Sequence, residues 1–385
     1  MKKILALSTA CHKSVNREIY RILNKKGFEL ILLVPRQTYF NETLVSADPD
    51  NEKDLRIIFD EIDTRRPRIM NFKNIKKIIT QEKPEIILID NDPGSLMVLS
   101  CCFFSLMDGA KVYCLTCENL CINFISTLKR KGFKFFFHTF FTSLMLNLSK
   151  YFVDVVFTIN NEGTENYKKF GFKKVKKIPL GFDTKLFHID QKKREEMRIK
   201  LNTNEFLIGY LGRTVPEKGL DVLIEALSKI QSDRWSLMLD EFKDYSSDYQ
   251  KKIHRLINEK NLKDKVIFVD PMHEEMGSFL NSLDILVVPS IEMSFWKEQY
   301  GRIAAEALAC GIKVIYSNSG NLPSLIGKHG IFFEQGDFNQ LSEIISLELN
   351  NNDIQVAEKE ERSRYARNSL SVETQANEMI KMFLN

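Results

Sequence analysis

No stretch of this sequence approaches the roughly 18 to 20 consecutive apolar residues that a membrane-spanning helix needs, so no such helix is expected. The cysteines number seven, an odd count for a disulfide framework, and are read as reduced thiols. A net charge of only +4 over 385 residues is a weak basis for binding nucleic acid. No recognised nucleic-acid motif accompanies the basic segments, so that partner is not expected. No short-period repeat is visible, and no Asp or Glu occurs between Cys121 and Lys150. What is present is the composition of a soluble globular protein, 44% hydrophobic and 28% charged. The chain is too long for one ordinary core and suits two domains of roughly 180 residues each.

Hydrophobic patterning places strands at Ile4 to Ser8, Leu30 to Val34 and Ile86 to Ile89, with helices near Asn16 to Lys26 and Phe72 to Glu82. Val112 to Leu115 and Val155 to Ile159 continue the series, and a second alternation starts at Leu207. Such alternation implies parallel sheets with crossover helices, an α/β class. The start, Met1 to Cys11, imitates a signal peptide or lipoprotein box. Its apolar part is short and runs directly into His12 and Lys13, so it is read as the first buried strand and the protein is expected in the cytoplasm.

Chemistry concentrates in the second half. Asp284 to Ser290 is an apolar run closed by Pro289 and Ser290, read as a buried strand ending in a loop; Arg302 to Cys310 is helical and stops at Gly311. Between them lie Glu298, Tyr300 and Gly301, with Glu306 about a turn and a half inside the helix. Both glutamates can face a ligand held at the helix N-terminus. The next strand, Lys313 to Tyr316, ends in Ser317-Asn318-Ser319-Gly320-Asn321, a loop able to offer backbone N–H groups to phosphate. About 80 residues earlier, Ile208 to Asp221 contains Gly212-Arg213 and Lys218-Gly219. Arg213 and Lys218, each beside a glycine, are fixed cations of the kind that stabilise a leaving group as it gathers negative charge.

These segments resemble the retaining glycosyltransferases of family 4, whose Glu-x7-Glu element usually reads Glu-x-Phe-Gly-x-x-x-x-Glu; here Tyr300 stands for the Phe and Gly301 matches the Gly. The resemblance implies the GT-B fold, two Rossmann-like domains facing a central cleft, with a C-terminal helix crossing back to the first domain. It places an acceptor-binding domain at 1–183, joined through the Pro-x-Gly-x-Asp-like Pro179-Leu180-Gly181-Phe182-Asp183. A nucleotide-sugar domain follows at 184–366, and the returning helix lies within 367–385. Glu306 inherits the nucleotide ribose, with Gly212, Tyr300, Gly301, Arg302 and Gly320 around the nucleotide. Glu298 inherits the donor sugar. No metal and no cofactor is then expected; the donor substrate is a nucleotide sugar, UDP- or GDP-linked, and transfer retains the anomeric configuration.

The first half departs from the family. Its first loop, Ser8 to Lys13, has no glycine where members often carry Gly-Gly, and the usual His after the fourth strand is replaced by Thr116-Cys117-Glu118-Asn119. Asn119 is therefore the candidate on the acceptor side, with His12 and His138 as weaker ones. In the second half, Asp240-Glu241-Phe242-Lys243 follows the strand Trp235 to Leu239 where relatives usually have a Gly-rich turn. Asp90-Asn91-Asp92 imitates a metal-binding Asp-x-Asp, and Cys114, Cys117 and Cys121 imitate a thiolate site that lacks a fourth ligand nearby. Lys129 to Phe141 joins a cationic cluster to six phenylalanines, which fits either an anionic membrane interface or a core helix. The expected activity is transfer to a glycan or lipid-linked acceptor on the inner face of the cell membrane. Two alternatives stay open: a nucleotide-sugar-binding subunit without catalysis, and a sugar-nucleotide epimerase of the same fold.

Overall fold

The computed structural model describes residues 2–40, 43–63, 66, 68–241, 247–351 and 356–384. It divides into two compact units, Met1–Gly181 with Val372–Asn385, and Phe182–Ser371. The sequence analysis expects the junctions after 183 and after 366, two residues later and five residues earlier than these.

In the first unit the strands are β1 (Lys3–Ser8), β2 (Glu29–Pro35), β3 (Gln37–Phe40), β4 (Thr43–Ser46), β5 (Arg56–Asp60), β6 (Ile86–Asp90), β7 (Lys111–Thr116), β8 (Val155–Thr158) and β9 (Val175–Lys177). Its helices are α1 (Glu18–Lys25), α2 (Ile75–Glu82), α3 (Leu96–Asp108), α4 (Phe124–Lys131), α5 (Phe136–Ser149) and α6 (Asn161–Phe170). Seven strands form one parallel sheet in the order β5-β2-β1-β6-β7-β8-β9, and β3 and β4 pair as a separate antiparallel hairpin. The central strands are apolar without alternation because both faces are covered: Ile4 to Leu7 and Leu30 to Val34 are buried throughout.

The second unit holds α7 (Gln191–Lys200), β10 (Phe206–Tyr210), α8 (Leu220–Leu227), β11 (Trp235–Asp240), α9 (Asp248–Glu259), β12 (Val266–Val269), α10 (Met276–Ser282) and β13 (Ile285–Val288). It continues with α11 (Arg302–Ala309), β14 (Lys313–Ser317), α12 (Leu322–Ile326), β15 (Gly330–Phe333), α13 (Phe338–Asn350) and α14 (Val356–Leu370). Its parallel sheet runs β12-β11-β10-β13-β14-β15. The last helix, α15 (Val372–Leu384), belongs to the first unit. Phe383 meets the rings of Phe28, Tyr113 and Phe157, while its carbonyl accepts from Lys2 Nζ at 2.7 Å.

Strand order reverses between β1 and β6 in one sheet and between β10 and β13 in the other. Crossovers leave opposite faces there and open a crevice at the strand C-termini, the usual place for a ligand in such sheets.

Candidate active site

The loops that leave β10 and β13 carry the candidate residues of the second unit. After β10, the Gly212 N–H donates to Asp240 Oδ2 at 2.6 Å, which ties the start of the loop to the end of β11. Arg213 projects into solvent, and among the described residues its guanidinium has no carboxylate partner. Lys218 behaves differently. Its ammonium lies 2.6 Å from Glu298 Oε2 and 5.1 Å from the centroid of Trp296, which brings residues 80 positions apart into one ion pair.

Two backbone approaches hold that pair. A Cβ on Gly219 would stand 2.0 Å from the Pro289 carbonyl oxygen, so the Lys218 loop sits directly on the end of β13, and Ile291 N–H donates to Glu217 O at 2.9 Å. A Cβ on Gly320 would stand 2.1 Å from Glu298 O. Around that point Ser319 Oγ accepts from Glu298 N at 3.4 Å, and Asn321 N–H donates to Glu298 O at 2.9 Å. The Ser317 to Asn321 loop thus grips the backbone of Glu298. Two of its N–H groups have protein partners: Gly320 N–H donates to Glu292 Oε1 at 2.9 Å, and Asn321 N–H to the Glu298 carbonyl.

Glu298 is buried, and its Oε2 also accepts from Ser290 Oγ at 2.9 Å. Tyr300 and Gly301 are buried in the turn into α11, and Arg302 is exposed at its first position. Glu306 lies one turn on, 6% exposed, with Arg302 Nε 4.0 Å from its Oε1. Burial pushes the Glu306 carboxyl up to about 7, with Arg302 opposing. Asp240 is raised to about 6, again by burial, against the Gly212 N–H that favours its anion.

A carboxyl poised near neutrality has lost its water and gains from a ligand that donates hydrogen bonds, as vicinal sugar hydroxyls do. Because Glu306 keeps its proton in the folded protein above the ordinary value of 4.5, folding becomes less favourable as pH rises from about 4.5 to about 7, and the cost is constant above that. The upper bound is about 3 kcal/mol. Glu306→Gln is expected to flatten this part of the stability profile between about pH 4.5 and 7, measured by denaturant unfolding; an unchanged slope would place the titration elsewhere.

In the first unit, Asn119 is buried in the loop after β7, and its carbonyl accepts from Asn166 Nδ2 at 3.4 Å. His12 Nδ1 sits 2.9 Å from Thr9 O, and His138 lies on α5 with its imidazole held below the usual range, by burial first and then by Lys131, Arg68 and Arg66. The Asp90-Asn91-Asp92 carboxylates have protein partners: Asp90 Oδ2 accepts from Ser8 Oγ at 2.7 Å, and Asp92 Oδ2 lies 2.7 Å from Arg68 Nη1. Cys114 is buried while Cys121 is exposed, and both are free thiols.

The basic, phenylalanine-rich segment lies largely outside the core, although Leu146 of α5 packs into it. Phe133 is 79% exposed and Phe137 74%, with Phe135, Phe140 and Phe141 also exposed. No helix among the described residues is long and apolar enough to cross a membrane.

Four partners were missed by the sequence reading as parts of the site: Ser290, Glu292, Trp296 and Asp240. Ser290 reads only as the close of a strand, and Asp240 as the start of the turn that replaces a Gly-rich one. Trp296, one of two tryptophans, stands two positions before Glu298, which was the available signal. Phe242 and Lys243 lie outside the described residues.

Residues 191–369, just under half of the chain, match the family described as Glycosyl transferases group 1. An uncharacterized glycosyltransferase of Methanocaldococcus jannaschii is 32% identical over 158 residues, 40% of this chain and 41% of that protein. The capsular polysaccharide biosynthesis glycosyltransferase CapM of Staphylococcus aureus is 28% identical over 175 residues, 44% and 43% of the two chains. The alignments thus span about two fifths of the length of these curated relatives. Among solved structures, Anabaena HepE in complex with UDP and glucose superposes with a TM-score of 0.74 at 16% identity over 100% of this chain and 99% of its own. A glycosyltransferase from Rickettsia africae does so with 0.75 at 18% identity, covering 99% and 97%. The architecture is that of the GT-B fold.

Proposed function

We propose that the protein, a GT-B chain whose second unit matches the group 1 glycosyl transferases, moves a sugar from a nucleotide-sugar donor to a glycan or lipid-linked acceptor, with retention at the anomeric carbon and without a metal. The observation that carries this reading is the Lys218–Glu298 ion pair at the β10/β13 strand reversal, with Arg213 on the same loop as Lys218 and Glu306 inside the helix that follows Glu298. Arg213 and Lys218 take the diphosphate as it departs, and Glu306 takes the ribose hydroxyls. Lys218 exchanges its carboxylate partner for phosphate, which frees Glu298 to orient donor hydroxyls. Positive potential from these side chains and from the N-terminus of α11 does the electrostatic work that a divalent cation does elsewhere. The departing phosphate then assists removal of the acceptor proton on the same face. Asn119 serves the acceptor side.

Names of relatives support the class: CapM is a glycosyltransferase of capsular polysaccharide biosynthesis, and HepE was solved with UDP and glucose. Exposed phenylalanines beside Lys129, Arg130, Lys131 and Lys134 support action at an anionic membrane surface, where each cation contributes about 1 kcal/mol. The inner face of the cell membrane is the proposed location. A binding subunit that lacks catalysis is the second reading, favoured by the first loop, where Ala10–His12 forms a 3-10 turn with no glycine.

A thermal-shift screen of UDP-, GDP-, ADP- and CMP-sugars with and without EDTA, followed by anionic vesicles carrying membrane lipid extract, tests the proposal. Stabilisation by one donor, unaffected by EDTA, and nucleotide release only when the lipid is present are expected. Release without an acceptor would overturn transfer in favour of donor rearrangement or hydrolysis; binding with no turnover in any acceptor extract would favour the binding subunit.

A further inference from the structure

The apolar surface of the first unit is more organised than a membrane-adsorbing patch requires. On α5, Phe137, Phe141, Leu144 and Leu148 are all exposed at spacings of four, three and four, which is one stripe along the helix. From the first to the last it runs about 16 Å. Leu148 then enters a groove of about 420 Å³ whose other wall is α3, with Leu96, Leu99 and Cys102 at its floor and Phe103 and Leu106 at its rim. Phe103 is 64% and Leu106 62% exposed. α3 has only Ser100, Ser105 and Asp108 as polar residues, yet Phe103 and Leu106 stand exposed on it.

Charge marks one end of this track. The α4 cations Lys129, Arg130 and Lys131 and the following Lys134 lie near the Phe137 end, and Lys150 at the other end is engaged with Asn147 and the rings of Tyr151 and Phe170. Lys131 is held below the usual lysine range by burial, then by Arg68 and Arg130, so an anion there would relieve it. Its neighbours Arg68 and Glu118 flank the Asn119 loop. A second copy of this chain docking on itself through the same face would set these cations against each other with no acid between Cys121 and Lys150 to answer them.

We propose that α3 and α5 bind a single hydrocarbon chain of a phosphate-headed lipid, its head held by the α4 cations beside the Asn119 loop and its chain laid along the α5 stripe into the α3 groove. This rests on the transferase reading above and narrows its acceptor class to a lipid phosphate. The chain shields Phe137 to Leu148 from water and fills the groove, and the head is delivered to the loop that serves the acceptor.

The test uses hexadecyl phosphate below its micelle concentration, long enough to pass the stripe, with Phe152→Trp in the groove as reporter and the parent protein's emission subtracted. A saturable blue shift is expected with hexadecyl phosphate and not with inorganic phosphate or hexadecyltrimethylammonium. Leu106→Asp, at an exposed position, is expected to weaken binding at least about tenfold. Lys131→Glu should do the same for the phosphate. No saturable shift, equal binding of the ammonium amphiphile, or an unchanged affinity in Leu106→Asp would each overturn the track. So would a dimer that Leu106→Asp dissociates, since the occupant would then be a second copy. Donor-sugar stabilisation measured on the same preparations separates the two readings: donor binding with a failed lipid arm removes the track alone, and lipid binding without any donor removes the transferase alone.

Discussion

Lys218→Ala is expected to lower kcat for transfer by about 10²- to 10³-fold, the usual effect of removing one preorganised charge aimed at a leaving group. The loss should appear at saturating donor, because the diphosphate carries more negative charge on its bridging oxygen in the transition state than in the bound donor. A second effect accompanies it. Glu298, whose side chain is 8% exposed, loses the cation 2.6 Å away while its bond from Ser290 Oγ remains. A buried carboxylate left without its charge partner is destabilising. Lys218→Ala/Glu298→Gln should therefore be more stable than Lys218→Ala while remaining as inactive, which separates folding from chemistry. Lys218→Arg should recover part of the rate. Arg213→Ala gives a useful contrast: its guanidinium is exposed and unpaired among the described residues, so its removal should cost transfer with no cost to stability. Rates from nucleotide release and unfolding midpoints from denaturant titration check both halves. A Lys218→Ala enzyme with wild-type kcat would remove that residue from the leaving-group role.

Gly320→Ala is expected to unfold the site's architecture. The added Cβ would lie 2.1 Å from Glu298 O and 2.9 Å from Glu298 N, and the φ of +51° is one that L side chains adopt at a cost. Neither neighbour can retreat easily: Asn321 N–H and Ser319 Oγ both bond the Glu298 backbone. The expected loss is about 3 kcal/mol or more, a midpoint drop on the order of 10 °C for a unit of this size, with weaker donor binding as Glu298 is displaced. Gly336→Ala supplies the control, since φ is +81° there and nothing lies within 4 Å of the built Cβ. It should cost about 1 kcal/mol through the backbone alone. Equal losses in the two variants would mean that the Gly320 loop yields and does not clamp Glu298.

The parallel cores were legible because β1, β10, β13 and β14 are covered on both faces and so read as unbroken apolar runs. Edges were not. β5, β12 and β15 are half-exposed, and the β3–β4 hairpin lies outside the main sheet, so none presents that signal. The helix expected at Asn16 to Lys26 divides into a 3-10 turn at Ser14–Arg17 and α1. Arg17 is fully buried there, with Nε donating to Cys11 O at 3.0 Å in the preceding turn and Nη2 to Asp48 O at 3.0 Å, a loop 31 residues on, and neither partner can be read from helical periodicity. The spacing of Glu298 and Glu306 was visible locally, as was the turn around Gly212 and Lys218. Their meeting was not, because the Lys218–Glu298 pair is made by the adjacency of β10 and β13, and the Glu292–Gly320 bond by the adjacency of β13 and β14. Asp240 looked like a missing glycine; folded, it holds the Gly212 N–H.

The central claim is that the segment from Gly212 to Gly320 binds a nucleotide sugar through Glu306 and Lys218. Calorimetric titration of the donor chosen by the thermal-shift screen, into wild-type protein and Glu306→Ala at pH 8, tests it most directly. A one-to-one isotherm whose affinity falls at least about tenfold in the variant is the predicted result. Indistinguishable isotherms in the two proteins would contradict the account.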